Sequence, residues 1–147
     1  MKVSGDPIVS AICHCDDCRA GGRMIEALPH AAPVRDAYGG SPYLTYRDDR
    51  FAIVQGSELL TGIKLSDTAP TTRYVASCCN SGMYLKHRPG WWVSTYRLRF
   101  TGDLPPVTMR NKVKPGTEAP ADIPVHNGFP FGLIGRLLAA RIAMLFG

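Results

Sequence analysis

Short runs of alternating apolar and polar residues recur through the middle of the chain. They are rich in β-branched and aromatic residues and are separated by turn-forming residues such as Gly, Pro, Asp and Ser, which is typical of β-strands. The predicted strands span residues 50–54, 59–65, 73–76, 83–86 and 91–100. The pattern therefore predicts a mainly β fold built from short antiparallel strands.

Two other segments have helical patterns. Residues 22–28 predict a short helix that ends at Pro29. Residues 129–147 predict an amphipathic C-terminal helix, because apolar residues recur there at helical spacing. The members of this apolar stripe are Phe131, Ile134, Leu138, Ile142 and Leu145. The segment is shorter than the roughly 20 apolar residues that span a bilayer, so we expect it to pack on the domain or in a homodimer, with attachment to a membrane surface as the alternative.

Between the strands and this helix lies a proline-rich stretch with little apolar periodicity, residues 103–128. Such a composition predicts an extended connection along the surface. The chain thus divides into a β domain at 1–102, the connection at 103–128 and the helix at 129–147. Its length of 147 residues and its 45% hydrophobic content fit one globular domain.

The net charge of +5 is concentrated in residues 86–114, where seven cations face Asp103 alone. A basic segment favours anionic partners such as a carboxylate, a phosphate or a polyanion. In the strand 91–100, however, alternation places the aromatic residues on one face and Arg97 and Arg99 on the other, as in an ordinary half-buried strand. We therefore do not expect nucleic-acid binding, and a solvated strand face remains the alternative to an anion site.

The densest chemistry lies in the run Cys13-His14-Cys15-Asp16-Asp17-Cys18-Arg19. The N-terminus before Ser10 has no apolar stretch of signal-peptide length, so a cytoplasmic location is expected, where thiols stay reduced. In that setting, C-x-C and C-x-x-C spacing among an odd number of cysteines favours a metal site over disulfides. Thiolates packed this closely repel one another unless a soft cation joins them, and zinc is the commonest solution.

Three thiolates from Cys13, Cys15 and Cys18 leave one coordination position of a zinc ion for another ligand. If Cys78 or Cys79 supplied it, the site would be closed and structural, whereas an open position would accept water or a substrate thiol. Adjacent side chains diverge, so at most one member of the Cys78-Cys79 pair is expected to bind, and Cys79 is the predicted fourth ligand.

The polar neighbours of the cysteines have weaker assignments. In an extended segment the side chain of His14 would point away from an ion shared by its neighbours. Asp16 and Asp17 are candidates for hydrogen bonds around the site, with a solvated loop as the alternative. Arg19 is placed to offset thiolate charge, unless it is simply exposed.

A family resemblance covers roughly residues 11–100. The residues that carry it are Cys13, Cys15, Cys18 and Arg19, then Phe51, Gly56 and Leu60, then Arg73 and Tyr74, and finally the cysteine turn with Ser81 and Met83. In this order the chain resembles the glutathione-dependent formaldehyde-activating enzyme family, which includes centromere protein V. The resemblance implies an Mss4-like β-tent and an open zinc site at the early cysteines, with a glutathione-like thiol and an aldehyde as substrates. It implies a carbon–sulfur lyase that forms or breaks thiol–aldehyde adducts.

The chain also departs from that family pattern. No cysteine precedes Cys13, and in the later motif Ala76 and Asn80 stand where the family has a cysteine and a glycine. The resemblance therefore implies that the family's second, structural zinc is absent. The alternative function is a non-catalytic zinc module that acts in protein–protein interaction.

Overall fold

A computed structural model describes residues 1–146. Within this range the chain forms nine strands and two α-helices. The strands are β1 (Lys2–Val3), β2 (Val9–Cys13), β3 (Ser41–Arg47), β4 (Phe51–Ala52), β5 (Leu60–Ile63), β6 (Thr71–Ala76), β7 (Ser81–His87), β8 (Trp92–Tyr96) and β9 (Met109–Asn111). The helices are α1 (Asp16–Glu26) and α2 (Phe131–Phe146). The predicted mainly β class with a C-terminal helix is confirmed.

Seven of these strands form one sheet in the order β5-β6-β7-β8-β3-β2-β9, while β1 pairs with β4 separately. All neighbours in the large sheet are antiparallel except β2 and β9. One row of cross-strand partners runs through five strands and consists of Val9, Thr45, Ser94, Leu85 and Arg73. Side chains of one row share a face of a sheet, so this row places a charged residue among core positions.

Four strands were missed by the sequence patterns, and they are β1, β2, β3 and β9. Strand β3 contains Pro42, which argues against a central strand because proline lacks a donor. The ladder with β8 begins only at Tyr43, so Pro42 lies where β3 pairs with β2 alone. Strand β9 lies inside the predicted connection at 103–128, and its residues are buried, so that stretch contributes to the core as well as to the surface.

Three of the predicted strands are shorter than expected, and the run 59–65 is a strand only at Leu60–Ile63. Only Phe51–Ala52 of the run 50–54 is a strand. The run 91–100 ends as a strand at Tyr96, and Arg97–Arg99 form a turn of 3-10 helix that leaves Leu98 half exposed. The predicted alternation is therefore wrong beyond Tyr96. The physical reason is that the Arg97 guanidinium turns inward and donates to the carbonyl of Pro105 at 2.6 Å.

Helix α1 begins at Asp16, six residues before the predicted start at 22, and it contains the pair Gly21-Gly22. Glycine disfavours a helix interior, which is why the pattern placed the start later. Here both glycines are required by packing. An added Cβ would lie 1.9 Å from Nε of Arg73 at Gly21 and 2.6 Å from the side chain of Arg35 at Gly22.

Helix α2 confirms the predicted C-terminal helix, but its predicted apolar stripe does not pack on the domain. The side buried against the sheet is formed by Leu133 and Leu137, which pack with Val9, Ala11 and Met109. The predicted stripe is exposed, with Leu138 53% and Ile142 56% accessible. The indole of Trp91 donates to the carbonyl of Leu137 at 3.0 Å and fixes the helix over the sheet.

A second cluster packs α1 on the same sheet. Ile25 of α1 and Val34 contact Tyr43, Val75, Leu85 and Tyr96, which come from strands β3, β6, β7 and β8. The two helices thus cover different parts of the sheet. A cavity lies on the sheet face between them, and the early cysteines open onto it.

Candidate metal centre

Three local structures bring the early cysteines together. Cys13 is the last residue of β2, Cys15 is the N-cap of α1, and Cys18 lies in the first turn of that helix. The three sulfur atoms lie within 4.8 Å of one another. The C-x-C and C-x-x-C spacings therefore correspond to a strand that runs directly into a helix, and this junction converges the thiols on one point.

The helix start favours negative charge on these sulfurs. Sγ of Cys15 accepts the backbone N–H of Cys18 at 3.3 Å and so caps the helix. Backbone N–H groups and the helix dipole both stabilise an anion at this end. The helix N-terminus is thus an environment in which thiols become thiolates and metal ligands.

The thiols also share their protons. Hydrogen bonds from Cys13 and Cys18 lower the pKa of Cys15 well below its ordinary value. The hydrogen bond to Cys15 raises the pKa of Cys13. The hydrogen bond with Cys13 lowers the pKa of Cys18, but the effects of Cys15 and of burial are larger and raise it to about 12. The shared protons oppose deprotonation of Cys13 and Cys18, and a positive ion among the sulfurs would favour it.

Within residues 1–146, several buried polar side chains around the cluster have atoms without a hydrogen-bond partner. They are His14, Ser41, Tyr43, Arg73, Tyr96 and Asn111. Ser41 and Asn111 are the strand neighbours of Cys13. Native proteins rarely leave such atoms unpaired, and their concentration here indicates a site for a charged group. Three sulfur donors in a tight group suit zinc.

The cysteines line a cavity of about 660 Å³, a size typical of sites for small molecules. Its apolar wall comes from the sheet and from α2 and includes Val9, Ala11, Leu85, Trp92, Leu133 and Leu137. Arg73, Lys112 and His87 add basic groups to the lining. A ligand in this cavity would lie between the sheet and α2 with one end at the sulfurs.

The other residues of the early run do not join the sulfurs. The exposed carboxylate of Asp16 pairs with Lys114 at 2.6 Å, and Asp17 contributes its backbone carbonyl to Arg73. His14 is 2% exposed and packs against Gly40; its burial lowers the pKa of the imidazole. Arg19 donates to the carbonyl of Tyr38 at 3.5 Å.

Cys78 and Cys79 lie in the exposed turn between β6 and β7. Sγ of Cys79 contacts Oγ of Ser81 at 3.2 Å and Sγ of Cys78 at 3.7 Å. In the part of the chain that the structure describes, Cys79 does not belong to the group of converging sulfurs. Its assignment as fourth ligand stays a prediction.

Arg73 is the residue near the cysteines whose role the sequence reading missed. Its side chain is 1% exposed, and Nη2 donates to the carbonyl of Asp17 at 2.6 Å. A signal existed, because alternation in β6 places Arg73 on the same inward face as Val75. A cation at an inward strand position is rare unless it is paired or bound to a ligand.

Most cations of the basic segment have partners within the fold. Lys86 pairs with Asp48, Arg110 with Asp36, and Lys114 with Asp16. Arg99 donates to the carbonyl of Pro33 at 2.8 Å. These contacts give the segment a structural role, and Lys112, which lies 4.5 Å from the Phe129 ring, is the member that lines the cavity.

Neither helix described here has the length and apolar character that a membrane span requires. A scan against models of known protein families finds no match. A search of curated proteins likewise finds no significant match.

Proposed function

We propose that this chain binds one zinc ion through Cys13, Cys15 and Cys18 and uses the remaining coordination position to form or cleave thiol–aldehyde adducts. The observation that supports this proposal is the position of the three sulfurs at the wall of a cavity. A purely structural zinc site has four protein ligands and needs no cavity, whereas a catalytic site keeps one position open to a ligand.

A bound zinc ion supplies Lewis acidity, which lowers the pKa of a thiol in its free position. The chain's own residues hold that centre and shape the approach to it. Leu133 and Leu137 cover the cavity from α2, and Tyr43 presents a buried hydroxyl beside Cys18. These groups line the cavity in which a thiol and an aldehyde would meet.

The proposed reaction is an addition in which every atom is retained. The thiol sulfur forms a bond to the aldehyde carbon, and the thiol proton ends on the former carbonyl oxygen. The reverse reaction breaks the carbon–sulfur bond and is a lyase step. Glutathione and formaldehyde are the substrates that the family resemblance implies, and Lys112 is a cation of the cavity that suits a carboxylate-bearing thiol.

The test is the exchange rate between formaldehyde and its glutathione adduct, measured by NMR with zinc-loaded protein. We expect acceleration by the wild type and none by Cys15→Ser, because that variant lacks a ligand. Leu133→Trp should keep zinc but lose the acceleration, since the indole fills the cavity. The enzymatic proposal is refuted if zinc-loaded wild type fails to accelerate exchange with all three of the thiols tested, glutathione, cysteine and 2-mercaptoethanol.

A second proposal is that α2 mediates a homodimer, which is also the surface that a non-catalytic module would use. The observation that favours it is the exposed apolar side of α2, where Phe131 is 93% and Leu145 65% accessible. Contiguous apolar surface of this kind marks interaction sites in soluble proteins. Light scattering coupled to size-exclusion chromatography tests it, because a dimer doubles the measured mass.

A further inference from the structure

Arg73 is a buried cation with an incomplete set of partners. Its side chain is 1% exposed. Within residues 1–146 the guanidinium makes one hydrogen bond, from Nη2 to the carbonyl of Asp17. Nε and Nη1 are buried without a hydrogen-bond partner in residues 1–146. No carboxylate of that range lies within salt-bridge distance of this guanidinium. A charge removed from water in this way requires a nearby opposite charge.

The neighbouring Arg35 shows the usual solution. Arg35 packs against Gly22 of α1 as Arg73 packs against Gly21. Arg35 donates Nε and Nη2 to the carboxylate of Glu26 at 2.8 and 2.5 Å. The two arginines thus pack against successive glycines of one helix. Arg35 has a carboxylate as its partner, whereas Arg73 lies beside the segment that carries the three thiols.

The register of the sheet shows that this placement is specific. Arg73 lies on β6 and Cys13 on β2, and three strands separate them in the sheet. In a flat sheet these two strands would lie about 19 Å apart. Yet Arg73 donates to the carbonyl of Asp17, the residue before Cys18, and it lines the same cavity as the three cysteines. Helix α1, which packs on this sheet, therefore brings the cysteine segment to the guanidinium.

We propose that Arg73 is the counter-cation of the three-thiolate metal centre. Three thiolates and one divalent ion carry a formal charge of roughly −1, which a single guanidinium neutralises. This inference rests on the proposed function and deepens it. Because Arg73 offsets this charge, the remaining coordination position can accept an anionic thiolate without building up a double negative charge at the site.

The experiment measures zinc affinity by competition with a chromophoric chelator at neutral pH, using the full chain and four variants. Arg73→Gln removes the charge but keeps a polar side chain, and Arg73→Lys keeps the charge. Arg35→Gln is the matched control, because it removes an equivalent cation that packs on the same helix. Cys15→Ser shows the loss of a ligand. The zinc-induced increase in Tm is recorded for each variant, so that a difference in metal-free stability does not hide the effect.

For Arg73→Gln we expect zinc affinity to fall about 10- to 100-fold, as for other outer partners of metal ligands, with a smaller zinc-induced gain in Tm. Arg73→Lys should retain most of the affinity. Arg35→Gln should lower Tm with and without zinc by the same amount and leave affinity unchanged. In cobalt-loaded protein, the thiolate-to-cobalt charge-transfer band should shift in Arg73→Gln and not in Arg35→Gln.

The proposal is overturned if Arg73→Gln binds zinc as tightly as wild type, or if Arg73→Lys is as weak as Arg73→Gln. Weaker binding of a carboxylate-bearing thiol with unchanged zinc affinity would also overturn it and assign Arg73 to the ligand instead. A wild type that binds no zinc contradicts the proposed function itself. If the wild type binds zinc and Arg73→Gln binds it with the same affinity, only this inference is contradicted.

Discussion

The replacement Gly21→Ala should destabilise the protein, although alanine is the better helix former by about 1 kcal/mol. The added Cβ would lie 1.9 Å from Nε and 2.3 Å from Cζ of Arg73, far inside the contact distance of about 3.5 Å. The guanidinium must move, and it would lose its bond to the carbonyl of Asp17. Overpacking costs about 1–3 kcal/mol and the lost charged hydrogen bond about 1.5–3.

After subtraction of the helix gain, we expect a loss of about 2 kcal/mol or more in the free energy of unfolding. The control is Gly135→Ala in α2, where an added Cβ meets no atom within 4 Å, and this change should stabilise by up to about 1 kcal/mol. Urea denaturation followed by circular dichroism measures both. A stabilised Gly21→Ala variant would refute the placement of Arg73 against α1.

Three further outcomes are expected. Arg35 and backbone N–H groups bind Glu26, and although burial acts in the opposite direction, they hold the pKa of this carboxyl below its ordinary value of 4.5. The contribution of Glu26 to stability is therefore complete above the ordinary pKa and is lost as pH falls through the lower pKa of the folded state. Glu26→Gln should flatten the acid limb of a stability–pH curve. Ile142→Asp should convert a dimer to a monomer in light scattering, whereas an unchanged mass would exclude α2 as the interface. Zinc at about 1,000 times its Kd should raise the free energy of unfolding by about 4 kcal/mol in wild type and by much less in Cys13→Ser, and an equal gain in both would contradict the ligand assignment.

The parts of the fold that sequence could predict are those with a strong local pattern. Strands β5, β6 and β7 follow the alternation of apolar residues, and α2 follows the helical spacing. Strand β4 has only two residues of a longer predicted run, because the chain turns at Asp48–Arg50 and again at Gly56. Local pattern thus identified elements better than it identified their ends.

The parts that local pattern could not predict depend on tertiary contacts. Strand β9 has three residues and is set by its pairing with β2. Helix α1 extends through Gly21-Gly22 because two arginines need the space. The inward face of α2 could not be chosen from the sequence, since both sides of that helix are apolar.

For the candidate site, spacing was sufficient for the three early cysteines, because they are close in sequence and a strand-to-helix junction brings them together. Alternation in β6 could show that Arg73 faces inward but not that it lies beside the cysteines, because three strands separate β6 from β2 in the sheet. The cavity likewise depends on how α2 lies over the sheet, which no local pattern specifies. Chemistry confined to one motif can be read from the chain, and chemistry that joins distant elements requires the fold.

The most direct test of the central claim is X-ray absorption at the zinc edge on the full chain, purified without added metal, together with Cys79→Ser. We predict about one zinc per chain bound by three sulfurs and one lighter atom, with the same spectrum in Cys79→Ser. Four sulfurs in the wild type that fall to three in Cys79→Ser would contradict the open site and make Cys79 the fourth ligand. A folded chain without metal would contradict the metal centre altogether.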